Sequence, residues 1–142
     1  MSTQARIERI SAETAHHLAE VAEGVFDAPL TPERLAAVLA RPEHLLFVAR
    51  DGELVVGQCL AMVLHGPDRD PALYIDNLGV AEVARRRGIG TALMQAALAA
   101  GRDMGCAWIW LGSDPDSASA KPFYQALGLS FRQVEYAEAE LN

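Results

Sequence analysis

Apolar positions along this chain follow two periods, and the changes between them mark its elements. Gln4–Ile10 alternates polar and apolar residues, which predicts a first strand. Ser11 stands as an N-cap, with Thr14 three residues on, for a helix through about Glu23 that Gly24 ends. Val25-Phe26-Asp27-Ala28-Pro29-Leu30 reads as a loop. Thr31-Pro32-Glu33-Arg34 sets a capping hydroxyl before a proline at the first helical position, so a second helix is expected to about Leu39–Ala40. Leu45–Arg50 and Leu54–Leu64 are β-rich runs separated by Asp51-Gly52, a hairpin signal. A loop over His65–Pro71 leads to a strand at Ala72–Val80. Gly79 within it marks a bulge or a close approach of a ligand to backbone. A long helix follows at Gly88–Met104, stopped by Gly105. Cys106–Leu111 is an apolar strand of the kind covered on both faces. Ser117–Leu127 is a short helix closed by Gly128, and Leu129–Tyr136 a last strand. The order β-α-α-β-β-β-α-β-α-β predicts an α/β domain with a mixed sheet: a hairpin region, then βαβ crossovers.

The chain has 142 residues, which is most simply one domain, 1–142, with enough buried surface to need no staples. Its net charge of −7 argues against nucleic acid or an anionic membrane as partner and suits a cationic small molecule. No apolar run approaches the roughly 18 residues of a membrane span, and the N-terminus has no secretory h-region, so a cytoplasmic protein is expected. Cys59 and Cys106 lie in apolar runs and are expected as buried strand thiols; no Cys/His cluster has metal-ligand spacing, so no metal is expected. Trp108 and Trp110 alternate with Ile109 and are expected to pack in the core. His16, His17 and His44 are expected to face solvent.

The segment Arg85-Arg86-Arg87-Gly88-Ile89-Gly90-Thr91 sits between a strand-like run and the long helix. A glycine turn opening a helix exposes free backbone N–H groups. Those groups, the helix dipole and three guanidinium side chains favour a polyanion, most naturally a pyrophosphate.

These motifs resemble the GNAT superfamily of acetyl-CoA-dependent N-acetyltransferases. Arg85-Arg86-Arg87-Gly88-Ile89-Gly90 matches the family's Arg/Gln-x-x-Gly-x-Gly/Ala. Tyr74-Ile75-Asp76-Asn77-Leu78-Gly79-Val80 matches the strand before it. Ser117-Ala118-Ser119-Ala120-Lys121-Pro122-Phe123-Tyr124-Gln125-Ala126-Leu127-Gly128-Leu129 matches the later helix motif, with Ser117 where Asn is usual and Leu129 where Phe is usual. Within the superfamily the chain resembles the small aminoglycoside 3-N-acetyltransferase branch. The resemblance implies a mixed, mostly antiparallel sheet of about six strands with helices on both faces, and often a homodimer.

It also implies roles. Acetyl-CoA would be the cosubstrate, with its pyrophosphate on the turn Arg85, Arg86, Arg87, Gly88, Ile89, Gly90 and Thr91. The pantetheine arm would pair with Leu78, Gly79 and Val80, Gly79 leaving room for it. Ser117, Lys121 and Phe123 would complete the cofactor side. Tyr124 would protonate the leaving thiolate, and Asp76 would take a proton from the amine, which cannot attack as an ammonium. The oxyanion would be held by a strand amide, that of Val80. Alternation puts Tyr74, Asp76 and Leu78 on one face and Asn77 on the other; a bulge at 78–79 would break that parity, so either Asp76 or Asn77 faces the cleft. Asp27, Asn77 and Glu135 are candidates for the acceptor side, and Glu23, Glu138 and Glu140 can add to an acidic entrance. The acceptor is then a primary amine of a small polycation, with an aminoglycoside first. The alternatives are a polyamine, an amino acid or a protein amine, and a non-catalytic CoA-binding module.

Overall fold

The computed structural model describes residues 5–142 and divides into two compact units, the first ending at Gly112 and the second spanning Ser113–Asn142. The first unit is built on one sheet of strands β1 (Arg6–Arg9), β2 (His44–Asp51), β3 (Leu54–Gly66), β4 (Arg69–Val80) and β5 (Trp108–Leu111), in that spatial order. The first four are antiparallel neighbours, and β5 joins β4 in parallel after the crossover helix α2 (Ile89–Asp103). Helix α1 (Pro32–Leu39) begins as its sequence dictates: Thr31 Oγ1 accepts from Arg34 N–H at 3.2 Å, and Pro32 occupies the first turn.

Leu45–Ala49 of β2 are all buried, so both faces of the sheet are covered there. Helix α2 covers one face. A Cβ on Gly57 would meet Ile89 Cγ2 at 3.0 Å, and one on Gly101 would meet Leu73 Cδ2 at 2.9 Å. Glycine therefore lets helix and strand backbones approach closely at both ends of the contact. The opposite face receives a 3₁₀ helix at Ala12–Leu18, fastened through a charge cluster. Glu8 Oε1 accepts from Arg50 Nη1 at 3.0 Å and meets His17 Nδ1 at 2.9 Å.

Where expectation and structure differ, backbone pairing explains most of the difference. The first helix stops at Leu18 rather than Glu23, because the next residues bond to β3 instead: Val55 N–H donates to Glu20 C=O, and Ala22 N–H to Val55 C=O, both at 2.9 Å. The expected loop 65–71 is a tight hairpin with Gly66 opposite Arg69. β5 is four residues long, and Cys106 precedes it, half-buried. Trp108 and Trp110 are 70% and 48% exposed, not core, because β5 is the last strand of the sheet. Cys59 is buried as expected, and burial pushes its thiol up to about 12. His17 and His44 are not fully solvent-facing: His17 meets Glu8, and His44 Nδ1 is buried. Gln4 lies outside the described residues.

The second unit contains α3 (Ala120–Ala126) and no strand among its described residues. The expected strand 129–136 fails on pattern: Leu129 and Phe131 alternate, but Val134 and Tyr136 resume one residue out of phase, so no single apolar face exists.

Burial pushes the Glu8 carboxyl up, but the hydrogen bonds from Arg50 and His17 outweigh it, and the group titrates below the usual carboxylate range. A lowered native pKa means the stabilisation is present above the unfolded value of about 4.3 and lost as pH falls through the native one. Glu8→Gln is expected to cost about 1–3 kcal/mol in urea unfolding at pH 7, because Arg50 is left largely buried without its carboxylate. The difference from wild type should close below about pH 4; a constant difference at all pH values would reject the assignment.

Candidate active site

The central feature is where β4 leaves its neighbours. β5 accompanies β4 only to the pair Ile75–Leu111, whereas β3 stays with it to Val80. Beyond Ile75 the outer edge of β4 carries no strand among the described residues. The hydrogen-bond direction along that edge follows from one contact. Ala81 N–H donates to Val56 C=O at 2.9 Å, so 81 bonds toward β3. Antiparallel alternation then turns the peptide groups of Gly79 and Asn77 toward β3 and those of Leu78 and Val80 outward. An extended ligand can pair with the outward groups as an added strand. Arg85 Nε reaches Val80 C=O on this edge at 3.5 Å.

A bulge interrupts β4, but at Asp76 rather than at 78–79. Leu60 pairs with Asn77 and Ala61 with Ile75, so Asp76 is the extra residue. This resets the parity. Gly57 and Leu73 face α2, so Gln58, Met62 and their partners Gly79 and Tyr74 face the other way. Asn77 joins that second face, since its side chain meets Gln58. The shared face is therefore Tyr74, Asn77 and Gly79, not Tyr74, Asp76 and Leu78. Asp76 is exposed on the bulge itself.

The space over Gly79 is also not open for an arm. A Cβ there would lie 2.2 Å from the carbonyl oxygen of Val25 and 3.4 Å from Gln58 Nε2. The glycine accommodates the Val25–Leu30 loop, which brings exposed Asp27 two residues from this contact. Gln58, 1% exposed, fastens the same loop by donating to Val25 C=O at 3.2 Å. Its oxygen is buried without a partner among the described residues, an arrangement that costs about 1–3 kcal/mol. Sequence reasoning passed over Gln58; the signal was there, one polar side chain inside the apolar run Val55–Leu60. It also missed the pairing of Tyr74 with Trp110, whose ring centroids lie 4.4 Å apart at the last rows before the strands separate.

After β4 the chain makes a short 3₁₀ turn at Glu82–Ala84 and enters the basic segment. Arg86 (φ 66°) and Gly88 (φ 75°) both adopt left-handed backbone, and Gly88 is the N-cap of α2. The first bond of the helix runs from Ala92 N–H to Gly88 C=O at 3.0 Å, so the amides of Ile89, Gly90 and Thr91 precede it and point along the axis. The three arginines are not equivalent. Arg87 Nη1 lies 3.1 Å from Asp51 Oδ2 in the β2–β3 turn, which ties the loop to the hairpin, while Arg85 and Arg86 extend from an exposed turn.

Tyr124, Lys121, Phe123, Ser117 and Glu135 belong to the second unit. Ser117 Oγ accepts from Ala120 N–H at 3.3 Å at the start of α3, so its hydroxyl already serves the helix. Tyr124 packs beside Phe123 and Phe131 at ring separations of 5.0 and 6.4 Å, and Lys121 Nζ sits 5.6 Å from the Phe131 ring. Glu135 is exposed, as are Glu138 and Glu140. Among the described residues no group of three or more His, Cys, Asp or Glu can hold a metal, and no helix is long and apolar enough to cross a membrane.

Gly79→Ala tests the closeness of the Val25 loop. The methyl group must displace a backbone carbonyl, so a loss of about 1–3 kcal/mol in chemical denaturation is expected. An unchanged midpoint would mean that the loop does not sit on β4.

Comparison with known proteins bears on this arrangement. Residues 11–129 match the model of the acetyltransferase (GNAT) family. No curated protein matches the chain in sequence. Among solved structures, an aminoglycoside acetyltransferase from an uncultured soil metagenomic sample, in complex with trehalose, superimposes with a TM-score of 0.79 at 23% identity over 97% of each chain. AAC(6')-Iy in complex with a bisubstrate analogue, CoA-S-monomethyl-acetylneamine, gives 0.77 at 19% identity, covering 96% of this chain and 99% of that one. Glucosamine-6-phosphate N-acetyltransferase from Arabidopsis thaliana gives 0.76 at 16% identity over 96% and 99%. These similarities establish the fold; the family match covers most of the chain, and the protein belongs to the GNAT family of acetyltransferases.

Proposed function

We propose that this acetyltransferase moves an acetyl group from acetyl-CoA directly to a primary amine of a small polycationic acceptor, an aminoglycoside being the best-supported choice. The observation that carries the donor half is the outward-bonding edge of Leu78 and Val80 leading straight into the left-handed turn and open N-terminus of α2. A pyrophosphate fits the first-turn amides of Ile89, Gly90 and Thr91, with Arg85 and Arg86 beside it. A pantetheine chain has amides and carbonyls of its own with which to meet the β4 edge. The acetyl thioester supplies the electrophile, and the outward Val80 N–H suits the developing oxyanion.

The acceptor half rests on charge and position. Exposed Asp76 stands on the bulge at the start of the free edge, where a carboxylate can take a proton from an ammonium directly or through water. Exposed Asp27 and Glu23 flank the Val25 contact, and the net charge of −7 favours a polycation. Tyr124 is the proposed proton donor to the thiolate. The likeness to aminoglycoside acetyltransferases supports the choice of acceptor. Acetylation would remove one positive charge and its charge-assisted hydrogen bonds.

Thiol release from acetyl-CoA, followed across aminoglycosides, polyamines and lysine peptides, tests this reading. Turnover is expected with 2-deoxystreptamine aminoglycosides; turnover confined to other amines would reassign the acceptor, and none at all would favour a CoA-binding role. With the active acceptor, Asp76→Asn is expected to lower kcat/KM by about 10²-fold, with partial recovery at higher pH as the free amine becomes abundant, and Tyr124→Phe to lower kcat with KM for acetyl-CoA little changed. A full rate in Asp76→Asn would remove Asp76 as the base.

A further inference from the structure

Gln58 fixes more than a loop. Its amide nitrogen carries two protons, and each has an acceptor: the Val25 carbonyl and Oδ1 of Asn77. The first contact sets the polarity. A backbone carbonyl can only accept, so the nitrogen of Gln58, not its oxygen, must face Val25. That same nitrogen faces Asn77, so Asn77 must answer with its oxygen. The amide nitrogen of Asn77 is thereby turned away from Gln58. It has no hydrogen-bond partner among the described residues, and it is not among the buried unpartnered atoms, so it is open to solvent. The result is a donor of fixed orientation on the half-buried face of β4, beside Asp76 and one residue from the outward-bonding Leu78.

We infer that Asn77 is a specificity-determining residue of the acceptor site, held by Gln58 as a positioning residue, and that it donates to a hydroxyl or ether oxygen that the acceptor carries beside its reacting amine. The inference rests on the acetyl-transfer reading above and adds a chemical class to it. An N–H donor has nothing to offer an ammonium, whose hydrogens it would meet head-on. It has a partner in any amine whose neighbouring carbons bear oxygen. Asp76 then serves the nitrogen of the acceptor and Asn77 its oxygen. Acceptors rich in hydroxyls, such as amino sugars, satisfy both groups. A plain polyamine satisfies only the carboxylate.

The test uses the full chain with one aminoglycoside acceptor and spermine as a competing polycation without oxygen. Asn77→Asp keeps an oxygen for Gln58 but replaces the outward donor with an acceptor. Gln58→Glu removes both protons and obliges Asn77 to turn over; it also gives up the bond to Val25, so its melting temperature is expected to fall whatever the role of Asn77. In both variants the KM for the aminoglycoside is expected to rise about ten-fold or more with kcat changed less than three-fold, because a site built to bond an oxygen loses that bond on binding. The KM for acetyl-CoA should stay constant, and inhibition by spermine should hold or strengthen. A purely structural role would shift the KM for acetyl-CoA, the spermine constant and the melting temperature together. That pattern in Asn77→Asp, or no change in its aminoglycoside KM, overturns the inference while leaving the transfer reading intact. If wild-type protein acetylates polyamines but no hydroxylated amine, the inference also fails. If it acetylates no amine, the transfer reading fails first and this one with it.

Discussion

The first unit depends on an unequal contract along β4. One side of the strand is held by β3 through its whole length, and the other by β5 for four residue pairs only. A free β edge invites unwanted pairing with any extended chain, so proteins usually shorten, charge or cover such edges. Here the free stretch is short, begins at a bulge bearing a carboxylate, and is followed, after the 3₁₀ turn at Glu82–Ala84, by the basic segment. A short free edge of this kind leaves little length for a second chain to pair with.

The rest of the unit stabilises that geometry from below. Gly57 and Gly101 let α2 settle closely on the sheet, so its N-terminus lies at the end of β4 without a long connection. The Arg87–Asp51 pair ties the turn to the β2–β3 hairpin; both side chains are about 30% exposed, so the pair contributes position more than stability. On the opposite face, the Glu8–Arg50–His17 cluster fastens the 3₁₀ helix, and Val25 reaches Gly79 from the loop that follows it.

Much of this was legible in the sequence. The Thr31-Pro32 start, the Asp51-Gly52 hairpin and the Gly88–Met104 helix are written in local residue chemistry, and each appears within a residue or two of its expected limits. What could not be read is what one segment does to another. The helix after Ser11 ends early because Val55 bonds Glu20 and Ala22. The parity of β4 turns on a bulge at Asp76, and no residue type there signals one. Gly79 was recognised as a place of close approach, but the approaching group is a backbone carbonyl of this chain. The two tryptophans look like core because hydrophobicity is local, whereas burial depends on which strand happens to be last in the sheet.

The bond between Gln58 and Asn77 has a consequence for how this protein can change over time. Since both protons of Gln58 are committed, positions 58 and 77 do not vary independently: the group that 77 presents outward is determined by what 58 presents inward. Substitutions at the two sites should be non-additive, and a change buried in β3 will behave as though it had been made on the surface of β4. A lineage that drifts at position 58 therefore changes what position 77 presents to solvent without any change at position 77 itself.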